Sequence, residues 1–178
     1  MIVVEYKGEE KIRKDVEPLF LSAFPFSERP TPEFYFNSFS NKRNRLFAFY
    51  LDNTFIGFSS VSIFEDICYI FFLAVQDKYR NQGYGSKILS LLKDMFKEYT
   101  LLLCYEEVDE KYEDYENRLK RSLFYQRNGF VINPLKTNEF GVVFQTVRFG
   151  PKVVTFKDYQ NIFLLGFGEF ALKHLKEA

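Results

Sequence analysis

Apolar positions along the chain change their period several times, and each change marks an element. Residues 2–6 read as an edge or first strand. Ile12, Val16, Leu19, Phe20 and Ala23 recur at the spacing of one helical face, with Pro18 expected to kink or restart that helix. The stretch FPFSERPTPEF, residues 24–34, is punctuated by proline and predicts a loop leading into a short helix over residues 32–39. Residues 46–51 and 55–64 have the length and composition of strands. Asp52-Asn53 between them tolerates the left-handed turn conformation, so a hairpin is expected. Glu65-Asp66 then turns the chain into ICYIFFLAV, residues 67–75, a buried strand too short to cross a membrane.

Downstream, Ile88, Leu91, Leu92, Met95, Phe96 and Tyr99 keep the i, i+3, i+4, i+7 spacing and predict a helix over residues 83–99. A further buried strand covers residues 101–105, and the acidic segment 106–116 precedes a helix over residues 117–128. Asn128-Gly129 suits the left-handed cap of that helix. Residues 130–132, 141–149 and 153–154 complete the strands. Tyr159, Ile162, Phe163, Phe167 and Phe170 give a last amphipathic helix. With no repeat, low-complexity tract or linker, the expectation is one mixed α/β domain over residues 1–178.

Composition narrows the class of partner. The chain has 178 residues, 47% of them hydrophobic and 20% aromatic, enough for a sizeable core. A formal net charge of zero removes any global field favouring nucleic acid or an anionic membrane, so neither is an expected partner. Cys68 and Cys104 lie in apolar strand-like runs, where buried inert thiols are expected and no disulfide framework is implied. The first residues lack a basic region followed by a long apolar segment, and no run reaches the ~18 apolar residues of a membrane helix. A cytoplasmic location is therefore expected. His174 has no metal-ligand spacing around it, and no metal is expected.

The stretch YRNQGYGSKIL, residues 79–89, raises the chemical question. Glycine is costly inside a helix, yet two stand where one begins. A helix start offers unpaired N–H groups and about half a positive charge, and Gly83 and Gly85 would let an anion such as pyrophosphate approach that backbone. Arg80, Ser86 and Lys87 could add contacts. A tight turn with no ligand is the plainer alternative. Two phosphate motifs are excluded: nothing supplies GxxxxGK[ST], and GxGxxG would need glycine where Ile88 stands.

The run Arg80-Asn81-Gln82-Gly83-Tyr84-Gly85 resembles the signature [R/Q]xxGx[G/A] of the GNAT acyltransferase family. FYQRNGF, residues 124–130, resembles that family's FYxxxGF at the end of the following helix, and the resemblance is close over about residues 45–133. The fold it implies is a mixed, mostly antiparallel sheet flanked by helices, with a splayed strand pair forming the acyl-CoA slot. The activity it implies is transfer of acetyl from acetyl-CoA to a primary amine by direct attack with both substrates bound. A non-catalytic acyl-CoA sensor or interaction module on the same fold is the alternative.

By the same resemblance, Leu73, Ala74 and Val75 would offer backbone groups to the acyl carbonyl and the pantetheine arm. Residues 80–87 would hold the pyrophosphate. Tyr125 matches the tyrosine near the CoA sulfur, where a phenol could donate a proton to the leaving thiolate. Glu106 is the favoured base, with Glu107 and Glu28 as competitors; strand alternation lets only one of Glu106 and Glu107 face the slot. Many relatives carry an asparagine seven residues before the tyrosine. Arg118 stands there instead, with Asn117 one step earlier and Arg121 on the same helix. Phe26, Glu28, Phe34 and Tyr35 are candidates for the acceptor side. Glu106, Glu107, Asp109, Glu110, Glu113, Asp114 and Glu116 form either a solvated loop or a rim attracting a cationic acceptor. The expected partner is a small-molecule or peptide amine, with homodimerisation left open.

Overall fold

The computed structural model describes residues 1–139 and 141–178 and, of Ser27, the backbone alone. Strands β1 (Ile2–Glu5), β2 (Asn44–Leu51), β3 (Thr54–Phe64) and β4 (Ile67–Val75) form an antiparallel run. Tight turns at left-handed Asp52 (φ 54°) and Glu65 (φ 49°) join its last three strands. Helix α3 (Tyr84–Met95) crosses over to β5 (Thr100–Glu106), which therefore lies parallel to β4. The sheet has eight strands in the order β1-β2-β3-β4-β5-β7-β6-β8, and its other neighbours are antiparallel.

Period-two alternation divides the core between two faces. Phe47, Phe49, Cys68, Ile70, Leu101 and Leu103 pack with Ile88, Leu89 and Leu92 of α3 and with Phe124 and Tyr125 of α4 (Tyr115–Arg127). Their strand neighbours point the other way. Leu46, Ala48 and Phe58 meet α1 (Glu10–Ala23) and α2 (Pro32–Asn37). Ile67, Tyr69 and Leu102 meet Tyr159 and Ile162 of α5 (Phe156–Phe167).

Several expectations need correction. Helix α1 runs through Pro18 without restarting, because Val16, Leu19 and Phe20 are buried on either side of the missing hydrogen bond. Helix α3 stops at Met95, although Phe96 remains in the core. Strand β6 is longer than its apolar start and spans Val131–Glu139, with Pro134 inside an irregularity between Ile132 and Lys136 where pairing with β7 (Val142–Phe149) lapses. Val153-Val154 is not a strand. The Asn133 side chain takes a strand's place, accepting from Val154 N at 2.9 Å and donating to Val154 O at 2.9 Å. Phe170 lies beyond α5, past Gly168 (φ 87°), and is 65% exposed. Strand β8 (Leu175–Glu177) was not anticipated from its single apolar residue; it pairs with the end of β6.

Gly57, opposite Val75 at the end of β4, marks the tightest backbone approach beside the site. A β-carbon there would run into the Ala74 carbonyl oxygen. Gly57→Ala is therefore expected to destabilise the fold by about 1–3 kcal/mol, the usual range for overpacking, read as a lower urea midpoint.

Candidate active site

Strands β4 and β5 pair at only three positions, Ile67↔Thr100, Cys68↔Leu101 and Tyr69↔Leu102. Beyond them, β4 stays paired with β3 as far as Val75 and β5 stays paired with β7 as far as Glu106. A slot thus opens between two strands that are each held from the outside. Its local cause is a bulge. Val61 pairs with Ile70 and Ser60 with Phe72, which leaves Phe71 as the extra residue. The bulge also turns Phe71 and Phe72 to the same face. Phe71 packs on Phe163 (5.1 Å) and Phe167 (4.6 Å) of α5, while Phe72 packs on Phe20 (5.2 Å) and Tyr35 (5.5 Å). Leu73 and Val75 lie on the α3–α4 side and Ala74 on the α1 side.

At the mouth of the slot, β4 runs through a short turn (Asp77–Tyr79) into the start of α3. Asn81 (φ 60°) and Gly83 (φ 81°) both take left-handed backbone. The two glycines turn out to have different reasons. Gly83 provides the positive φ, and a β-carbon there would meet nothing within 4 Å. Gly85 instead makes room for α4, since a β-carbon would lie 3.1 Å from the Phe124 ring. No side chain caps α3, so the amides of its first turn lack intrahelical partners.

The other side chains of the turn brace it. Arg80 Nε donates to Val75 O (3.2 Å) and its Nη2 pairs with Asp77 (2.9 Å), while Gln82 Nε2 donates to Lys78 O (2.8 Å). Tyr84 sits edge-on to Tyr79, Ser86 is half-buried and Lys87 is exposed. Asn117 is exposed on the first turn of α4, where its backbone N–H bonds Asp114 O.

Tyr125 projects from α4 against Tyr105 of β5, rings 5.9 Å apart and nearly parallel. Burial pushes its phenol up to about 12, so it stays a protonated donor throughout the working range. Glu106 and Glu107 point apart, as alternation requires. Glu106 is 6% exposed and accepts from Arg121 Nη1 at 2.6 Å; Glu107 turns to Lys136 (2.8 Å) and Lys111 (3.4 Å). Arg118 bonds Asp114 (2.7 Å) and the Glu107 carbonyl (3.2 Å). The acidic run is thus no bare rim: Glu106, Glu107, Asp109 and Asp114 are all ion-paired.

The proline-rich loop brings Glu28 into range of the same group. Desolvation raises its carboxyl, the Glu106 charge adds to that effect, and Arg121 and Arg118 oppose it. Phe26 is 79% exposed with Arg29 over its ring, and Phe34 is 43% exposed on α2; no contact among the described residues brings either to Glu106. Tyr35 is a core residue and no acceptor contact, stacked 4.1 Å from Phe20 and 2% exposed.

One constellation escaped the sequence reading. On the α5 side of the slot, Tyr69 OH lies 3.0 Å from Cys104 Sγ and 2.8 Å from Tyr159 OH, and Tyr159 OH donates to Glu139 at 2.7 Å. The available signal was Tyr69 itself, a hydroxyl in a buried strand that had to find a partner. Among the described residues there is no cluster with metal-ligand character, and no helix is long and apolar enough to cross a membrane.

Solved structures share this architecture. A protein of Bacteroides thetaiotaomicron assigned to the GNAT family superposes with TM-score 0.74 at 21% identity, over 94% of this chain and 99% of its own. The aminoglycoside 6'-N-acetyltransferase of Enterococcus faecium gives 0.65 at 14% identity, over 85% and 99%. A GNAT acetyltransferase of Elizabethkingia anophelis with acetyl-CoA bound gives 0.62 at 19% identity, over 84% and 97%. No curated protein sequence matches the chain. A mixed α/β sheet with a split parallel pair is therefore the fold that this chain shares with them. The model of the Acetyltransferase (GNAT) family matches residues 10–130, and the chain belongs to that family.

Arg121→Ala would leave the Glu106 carboxylate buried without its cation. The expected loss is about 1–3 kcal/mol, the cost of stranding a buried polar group. A double-mutant cycle with Glu106→Ala should recover most of it.

Proposed function

We propose that the protein is an acetyl-CoA-dependent N-acetyltransferase that acetylates a primary amine by direct attack, with both substrates bound together. The observation that carries this reading is the slot between β4 and β5, opening beside an uncapped helix start. The fit to acetyl-CoA is good. Gly83 leaves open space in front of the first turn of α3, where unpaired amides suit a pyrophosphate. Freed from β5, Leu73, Ala74 and Val75 have edge groups available to an extended pantetheine arm.

Acetyl-CoA supplies the thioester acyl group, and the chain's own groups surround its path. The Tyr125 phenol, held protonated by burial, donates a hydrogen bond to the negative charge that develops on the departing sulfur. Full transfer of its proton to an ordinary thiolate is uphill from a value near 12, so solvent completes that protonation. Glu106 and Glu28, on elements that meet at the acceptor side, orient the amine, with Arg121 fixing the Glu106 carboxylate. A small-molecule or peptide amine fits equally. The aminoglycoside acetyltransferase among the structural relatives makes polyamino sugars a reasonable part of the panel.

Acetyl-CoA and CoA, and not NAD or ATP, are expected to raise the melting temperature, and thiol release from acetyl-CoA with a panel of amines tests turnover. Stabilisation without turnover of any amine would favour a non-catalytic acyl-CoA sensor. Tyr125→Phe is expected to lower kcat about 10²-fold with little change in acetyl-CoA affinity by calorimetry. A drop below about threefold would assign Tyr125 to packing. Because Glu106, Glu107, Asp109 and Asp114 are already ion-paired and the remaining carboxylates of the segment are solvent-facing, a second positive charge on the acceptor should change kcat/KM by no more than about fivefold, the value of an exposed ion pair.

A further inference from the structure

Resting on the acetyltransferase reading, we infer that Glu139 is the terminus of a proton relay running from Cys104 at the fork of the slot through the hydroxyls of Tyr69 and Tyr159. The placement is set by topology. Tyr69 belongs to the last position at which β4 and β5 pair, and Cys104 is two residues past its partner Leu102 on the same face. Cys104 is half-buried while Tyr69 is enclosed, and it lies on β5 beyond the last paired position, so Cys104 is the end of the chain nearest the fork. From there the links measure 3.0 Å to Tyr69, 2.8 Å onward to Tyr159 and 2.7 Å to Glu139.

The carboxylate also gives the chain a direction. Tyr159 has one proton, with Glu139 at 2.7 Å and the Cys104 sulfur at 3.7 Å as possible acceptors; the short bond to the carboxylate takes it, so the Tyr159 oxygen accepts from Tyr69. Tyr69 has then spent its own proton, so its oxygen accepts from the Cys104 thiol. Every donor along this path then points toward Glu139, which leaves the sulfur lone pairs free to accept a proton. Thr137 Oγ1 donates to the same carboxylate oxygen at 3.1 Å and fixes it in place.

The transfer balances. The amine lone pair forms the C–N bond, and the C–S electron pair leaves with the sulfur as thiolate. The nitrogen sheds one proton to Cys104 as the Cys104 proton moves to Tyr69, that of Tyr69 to Tyr159 and that of Tyr159 to Glu139. Glu139 ends as the neutral acid and, being only partly enclosed at the end of β6, returns the proton to solvent. Burial raises the Glu139 carboxyl above the usual range, which suits a group that must hold a proton briefly. The titratable groups that interact with it are Tyr159 from α5, Tyr69 from β4 and Cys104 from β5; Glu106 of β5 acts on Cys104, and Glu177 of β8 stands opposite Thr137.

Two readouts test the relay. Carboxyl-carbon NMR follows Glu139 without substrate. Tyr159→Phe, which removes a donor to the carboxylate, should raise its titration midpoint, and Tyr69→Phe, one link further, should raise it by less. A midpoint indifferent to Tyr69→Phe would overturn the chain. With an accepted amine, Glu139→Gln should lower kcat about 10²-fold and abolish the acid limb of the pH–kcat profile, which in the parent enzyme falls as Glu139 protonates. Acetyl-CoA affinity should not change. An unchanged acid limb in a folded Glu139→Gln variant, or one removed by Glu106→Gln instead, would overturn the proposal. Absence of acetyl-CoA binding by the parent protein would overturn the acetyltransferase reading itself and the relay with it, so calorimetry tells the two failures apart.

Discussion

The loss of pairing between β4 and β5 is the constraint on which the rest of this structure depends. A parallel pair held at three positions cannot close a sheet, yet each strand stays paired on its other side, interrupted only by the bulge at Phe71. The sheet therefore stays intact while a gap opens in its middle. One extra residue, Phe71, separates the strands by adding local twist. Its ring and that of Phe72 diverge to α5 and α1, so the same bulge anchors the two helical covers of that face.

Around the gap, the two faces carry different chemistry. On the α3–α4 side lie an uncapped helix start, an open glycine and a buried phenol, groups that suit an anionic, extended ligand. On the opposite side lie carboxylates, with arginines from α4 reaching across to them. Arg118 and Arg121 belong to this second set: by pairing with Asp114 and Glu106 they tie the acidic segment to α4.

The C-terminal part of the chain completes the face of the sheet opposite α3 and α4. Helix α5 starts at a reciprocal Thr155–Asp158 cap, lays its aromatic face over Tyr69 and Phe71, and hands over to β8 on the edge of the sheet. Burying tyrosines in such a cover requires partners for their hydroxyls, and the chain of Tyr69, Tyr159 and Glu139 supplies them. A packing requirement thereby ties the Glu139 carboxylate to the buried pair of tyrosines.

The sequence by itself determined the order of strands and helices from β1 to β7, both tight turns of the β2–β4 meander and the glycine turn before α3, because period, turn chemistry and backbone freedom are local properties. It also established that Glu106 and Glu107 must diverge, since alternation along a strand needs no tertiary information. What lay outside local reach was decided by partners distant in the chain. Strand β8 exists because the end of β6 offers an edge, and residues 153–154 are held by an asparagine side chain instead of a strand. Gly85 is glycine because Phe124 packs there, a reason invisible from position 85. Tyr35 belongs to the core because Phe20 stacks on it, and the acidic segment is partly neutralised because α4 and β6 carry matching cations to Asp114, Glu106 and Glu107. Local pattern specifies which backbone shapes are allowed, but burial and charge pairing are set by contacts between residues far apart in sequence, and only the folded sheet brings those together.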